Sequence, residues 1–295
     1  MRLGAFQLNE PLPELKEPYA LAMLQPWVDV GSVGTLTLLW LETQFATKEL
    51  TRLARPGDFF DFTRYRPTSY TKEGRRQLTI PNTFVTYGQR ETGHDFLFLH
   101  LLEPHSHGEK YVESILRLLD KFKVKRYCLI GSMYDLVPHT RPLLVTGSGV
   151  GKEVEKQLEK LELGASNYQG PTTIASLIPQ RAQDMGIETM SLIVHLPQYT
   201  KLDDDYMGTA RLMKVLSSLY DLPVDTTYIE RAEQQLLQIN LALDKNPQLK
   251  AIVAQLETHY DARGMRRQKE EETPRLSPEV EKFLMEMDKR FREEG

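Results

Sequence analysis

Short apolar runs rich in β-branched and aromatic residues alternate with longer stretches of helical spacing, the arrangement that folds into a sheet covered by helices. Tyr19 to Leu24, Asp95 to Leu101, Arg126 to Ile130, Leu143 to Val145 and Thr189 to His195 predict strands. Gly34 to Phe45, Lys110 to Phe122, Glu153 to Leu161 and Thr172 to Met185 predict helices. Asp58 to Ile80 interrupts the alternation: Phe59-Phe60-Asp61-Phe62 followed by the turn residues Lys72-Glu73-Gly74-Arg75 predicts an inserted hairpin, and with it a mixed sheet. From Asp204 onward the strand patterns stop and helices follow one another; Asn246-Pro247 caps one whose Leu249, Ile252, Val253, Leu256 and Tyr260 define an apolar face. The expected fold is α/β, a mixed sheet flanked by helices with a helical C-terminal extension. Its parts are a core over residues 1–222 with a hairpin near 58–80, a helical extension over 223–264, a charged linker over 265–276 and a last helix over 277–295.

Composition narrows the partners. With 37 Lys+Arg against 41 Asp+Glu the net charge is -4, so no general field draws in nucleic acid or an anionic membrane. No window approaches the roughly 20 apolar residues of a membrane span, and the N-terminal sequence has no signal-peptide pattern. A single cysteine, Cys128, sits in an apolar run and reads as a buried hydrophobe, so a reducing, cytoplasmic setting is expected.

Most motifs that suggest chemistry fail on inspection. Thr146-Gly147-Ser148-Gly149-Val150-Gly151-Lys152 has three residues where a Walker loop needs four and lacks the hydroxyl after its lysine, so it reads as a flexible turn into a helix. His105 and His107 have no further ligands nearby for a tetrahedral metal site, and Asp203-Asp204-Asp205 reads as a helix cap; no cofactor or metal is expected. One constellation survives. Asp29, Glu103, Asp135 and His195 each follow or close a predicted strand, and in an open α/β sheet such ends converge where ligands bind. This set is either a cleft for acid/base chemistry, or three helix-capping carboxylates and a structural histidine.

Pro138-His139-Thr140-Arg141-Pro142, after Gly131-Ser132-Met133-Tyr134-Asp135, resembles the family of the second proteasome-assembly chaperone in its bacterial and archaeal form. Trp27-Val28-Asp29-Val30-Gly31, Phe60-Asp61-Phe62 with Arg66-Pro67, Glu103-Pro104, Tyr168-Gln169-Gly170-Pro171, Val194 to Tyr199 and Leu256 to Asp261 agree in order and spacing, from about residue 18 to about residue 290. The resemblance implies a sandwich akin to the phosphorylase/hydrolase group, a tendency to self-associate, and a protein-binding role in which a proteasome-like client is an analogy. It marks Trp27, Gly31, His139, Arg141, Gly170 and Pro171 as ligand-binding or structural loop residues. The family's assembly chaperones often end in a hydrophobic-Tyr-x tail, whereas this sequence ends Arg292-Glu293-Glu294-Gly295, so docking through such a tail is not expected.

Three expectations follow. The chain self-associates, with a trimer as the first state to test, and the aromatic stretch Phe59 to Tyr70 either forms that interface or covers the protein's own sheet edge. Arg141 binds a strand-end carboxylate such as Asp135 or Asp29. The helix Ser277 to Arg292 covers the stripe Val280, Phe283, Leu284 and Met287 against the body or a partner. A non-catalytic chaperone-like protein and an enzyme using the strand-edge cleft remain the two functional readings.

Overall fold

The structure is a computed structural model that describes residues 1–161, 163–166, 169–223 and 226–266. The elements run β1 (Arg2–Leu3), β2 (Phe6–Leu8), β3 (Tyr19–Gln25), α1 (Val33–Gln44), β4 (Lys48–Leu53), β5 (Thr68–Lys72), β6 (Arg75–Thr79), β7 (Phe84–Gly88), β8 (Phe96–Leu102), α2 (Gly108–Lys121) and β9 (Arg126–Asp135). They continue with β10 (Val145–Val150), α3 (Lys152–Lys160), α4 (Ile174–Asp184), β11 (Glu188–Pro197), α5 (Tyr206–Tyr220), α6 (Thr226–Asp244) and α7 (Pro247–Arg266). Met265 and Arg266 therefore close α7, and the rest of the expected linker and the expected last helix lie outside the described residues.

The main sheet has the order β1-β2-β4-β7-β8-β3-β9-β11-β10. It is mixed: β3 pairs in parallel with β8 and β9, whereas β7 with β8, β4 with β7, β2 with β4 and β1 with β2 are antiparallel. Central β3, Tyr-Ala-Leu-Ala-Met-Leu-Gln, is apolar without alternation because both of its faces are buried. β5 and β6 form a separate hairpin.

Two compact units divide the chain. Among the described residues, the first holds those within 1–30, 34–131 and 146–193; the second holds those within 31–33, 132–145 and 194–266. In the first, α2 buries Tyr111, Val112, Ile115, Leu118 and Leu119 at helical spacing in a core with Phe6, Ala20, Leu24 and Leu101. Phe59 and Phe60 join that core beside Tyr111, and Tyr65 donates from its hydroxyl to the Glu103 carbonyl. Most of the aromatic stretch expected at an interface or over the sheet edge is thus interior, and Tyr70 alone of its large aromatics stands well exposed, at 43%.

The glycine-rich run corrects the expectation of a flexible turn. It is strand β10, and α3 begins just beyond it. A Cβ at Gly149 would lie 2.4 Å from the Thr189 carbonyl oxygen, so glycine is required by the close approach of the neighbouring strand. The second unit gathers the ends of β9 and β11, α5, α6 and α7. Asp205 caps α5 by accepting from Gly208 N–H at 2.7 Å, and its own N–H donates to the Gly31 carbonyl at 2.8 Å. Gly31 has φ +61° and no room for a Cβ, which would fall 2.7 Å from that of Asp205.

Candidate functional site

The strand-end residues belong to two separate local structures. In the first unit, β3 ends at Gln25 and the chain turns through Pro26 to Asp29, with exposed Trp27 and with Val28 at φ +54°. A β-branched residue in that region is strained. Gly131 accommodates it, since a Cβ there would lie 1.9 Å from the Val28 carbonyl oxygen. Asp29 then caps α1: Oδ1 accepts from Gly34 N–H at 2.7 Å and Thr35 N–H at 3.1 Å. Oδ2 accepts from the Thr35 hydroxyl at 2.6 Å and Gln25 Nε2–H at 3.3 Å. A carboxylate offers about four lone-pair sites, and all four are used. Burial pushes the Asp29 carboxyl up, while the bonds from Thr35, Gly34 and Gln25 pull it down. Glu103 takes part through its backbone, its N–H donating to the Gln25 carbonyl at 2.8 Å and its carbonyl accepting from Tyr65.

In the second unit, buried His195 donates from Nδ1 to Asp135 Oδ2 at 2.8 Å, and Asp135 Oδ1 accepts from Leu136 N–H at 2.7 Å. The carboxylate fixes the ring orientation, as a proton-transfer pair requires.

The loop 138–142 of this unit is held by several side-chain bonds. His139 is buried; its Nε2–H donates to Asn240 Oδ1 at 3.0 Å. That assignment leaves Nδ1 to accept from the Tyr199 hydroxyl at 2.5 Å, while the His139 N–H donates to the same oxygen at 2.8 Å. Burial, opposed by the Asn240 bond and by nearby Glu257, holds the imidazole below its ordinary pKa and therefore neutral. Arg141 does not reach Asp135 or Asp29. Its Nε and Nη2 donate to the two oxygens of Asp261 at 3.0 and 2.9 Å, and Nη1 donates to Glu257 Oε1 at 3.2 Å. The Thr140 hydroxyl also donates to Glu257, and the Tyr260 hydroxyl to the Pro142 carbonyl. Glu257 and Asp261 stand four apart on one face of α7, which is why one guanidinium meets both.

The remaining candidates have structural partners. His105 Nδ1 accepts from Asp61 N–H at 3.1 Å and its ring lies on Tyr65, while His107 precedes α2 with its ring edge-on to Phe59. Gly170 and Pro171 are exposed, just before the Thr173 cap of α4. No three His, Cys, Asp or Glu side chains among the described residues are placed to hold a metal ion. Sequence reasoning missed Tyr199, Asn240, Glu257 and Asp261 as partners, although three of them lie in strings that carry the resemblance.

The family model described as the PAC2 family matches residues 23–241. Solved structures share the fold. A Mycobacterium tuberculosis protein of unknown function is 22% identical with a TM-score of 0.79, over 91% of this chain and 92% of that one. A PAC2 family protein from Streptomyces avermitilis is 22% identical with a TM-score of 0.72, over 80% and 99%. A proteasome-assembly chaperone homologue of M. tuberculosis is 19% identical with a TM-score of 0.71, also over 80% and 99%. No curated protein matches the sequence.

Proposed function

The chain belongs to the PAC2 family, and from that premise we propose that it is a non-catalytic, self-associating protein that binds other proteins in the manner of an assembly chaperone. The observation that carries this reading is the occupancy of the conspicuous polar residues. Asp29 uses all its acceptor sites on Gln25 and the start of α1, and the loop 138–142 is fastened to α6 and α7 by His139 and Arg141. Groups held this way shape a surface and leave little for a substrate to bind. The solved assembly-chaperone homologue supports a protein client, with a proteasome-like one as the analogy. No helix among the described residues is long and apolar enough to cross a membrane, which agrees with a cytoplasmic site of action.

Native mass spectrometry of the full chain mixed with free α-type proteasome subunits from the same cell tests the client. A stoichiometric complex, or faster ring formation, is the expected result; absence of both removes the proteasome analogy. The second reading, an enzyme, is favoured by the His195–Asp135 bond alone. Under that reading a turnover assay would respond to His195→Ala while protein binding would not.

A further inference from the structure

The β5–β6 hairpin is exposed at every residue of both strands, and they pair only with each other. A two-stranded ribbon is marginal alone in water. Its register places Lys72 opposite Arg75, like charges facing across the ribbon, with no carboxylate partner for either among the described residues. Tyr70, Leu78 and Ile80 are exposed at 43, 64 and 48%. Residues 64–80 carry Arg64, Arg66, Lys72, Arg75 and Arg76 against Glu73, a net charge of +4 in a chain of net charge -4, so the remainder carries -8.

The complementary surface is on α6. Ile229, Glu233, Leu237 and Leu241 recur every four residues and form one exposed ridge, with Glu230 beside it. Asp203 and Asp204 are exposed nearby, where the Asp204 carbonyl accepts from Gln235 on α6. A groove of about 440 Å³ lined by Tyr206, Arg231, Gln234, Gln235, Leu237 and Gln238 opens on this helix, large enough for an aromatic side chain.

We propose that the hairpin of one copy docks on the α6 ridge of a second copy, its basic tip against Glu230 and Glu233 and its Leu78 and Ile80, two apart and on the same face of the ribbon as Arg76, against Leu237 and Leu241. A nucleic acid would satisfy the arginines but not cover the apolar residues, and it would meet the -8 of the remaining chain. Because two different surfaces of the chain meet, the contact is heterologous and builds a ring wherever the rotation closes.

The proposal deepens the self-associating part of the proposed function and rests on it. Light scattering and equilibrium sedimentation of the full chain test it, with circular dichroism confirming that each variant is folded. The wild type is expected to exceed 34.0 kDa. Arg75→Glu with Arg76→Glu, or Glu230→Arg with Glu233→Arg, weakens association at least about tenfold, because like charges now face each other. All four changes in one chain restore it, since opposite charges meet again. A monomeric wild type overturns the proposal and leaves the hairpin to another segment of this chain or another protein. Single reversals that change nothing, or a folded combined variant that stays dissociated, overturn it as well. Client binding by the same variants keeps the two readings apart: a chain that follows the swap pattern yet binds no α-type subunit loses its client and keeps this interface.

Discussion

At the scale of single residues, what distinguishes a cap from a catalyst is what a carboxylate loses when its neighbours change. Asp29→Ala removes an acceptor from four donors and is expected to cost about 1–2 kcal/mol, read from urea unfolding. Asp29→Asn keeps Oδ1 for Gly34 and Thr35, so its loss should be clearly smaller. Equal losses would mean that the charge matters more than the cap. A second residue-scale test concerns Arg126, buried on β9, whose Nε and Nη2 donate to Glu188 Oε2 at 3.0 and 2.7 Å. The Glu188 side chain is 30% exposed and that of Arg126 only 2%, so the consequences of breaking the pair are unequal. Glu188→Ala takes the carboxylate from a buried guanidinium, which keeps its Nη1 bond to Gln157 Oε1 at 2.7 Å, and is expected to cost about 3 kcal/mol. Arg126→Met leaves a carboxylate that water can reach, so its cost should be lower; thermal unfolding giving the reverse order would refute this.

At the scale of elements, the loop 138–142 is a small polar lock, and His139 makes it sensitive to acid. Its folded pKa lies below the unfolded value, so its contribution to stability is complete above about pH 6.5 and is lost as pH falls below that toward the folded pKa. Protonation also removes the acceptor for the Tyr199 hydroxyl. Unfolding free energy measured from pH 7.5 to 5 should therefore decline, and His139→Gln should flatten the decline; an unchanged slope would assign it elsewhere. The sequence made β3, β8 and the helices α1 to α4 legible because each buries a run or stripe of one period. It hid β4, where Lys48, Glu49 and Arg52 break the apolar pattern of an antiparallel strand. It misread β10 because glycines that admit a neighbouring backbone look like glycines that make a turn. Of the site, Asp29 and the Asp135–His195 pair were visible as residue types at strand ends. The partners of Arg141 were not, because two acids on a helix more than a hundred residues away have no local signature.

At the scale of the whole molecule, the hairpin's exposure predicts that folding does not depend on it. Replacing Thr68 to Thr79 by a short Gly-Ser turn should change unfolding free energy by no more than about 0.5 kcal/mol, while abolishing self-association in light scattering. A large loss of stability would make the hairpin part of the fold rather than an arm. The second unit has a different dependence, because it is assembled from the described residues within 31–33, 132–145 and 194–266. Arg141 lies 120 residues before Asp261. At translation rates of about 5–20 residues per second, its guanidinium waits about 6–24 s for that carboxylate to be synthesised. For that interval the Arg141 guanidinium of the nascent chain lacks its Asp261 carboxylate, although Tyr199 and Asn240 have by its later part become available to His139. The ribosome-bound form is therefore the one most open to premature engagement, and the arrival of α7 is the event that ends it.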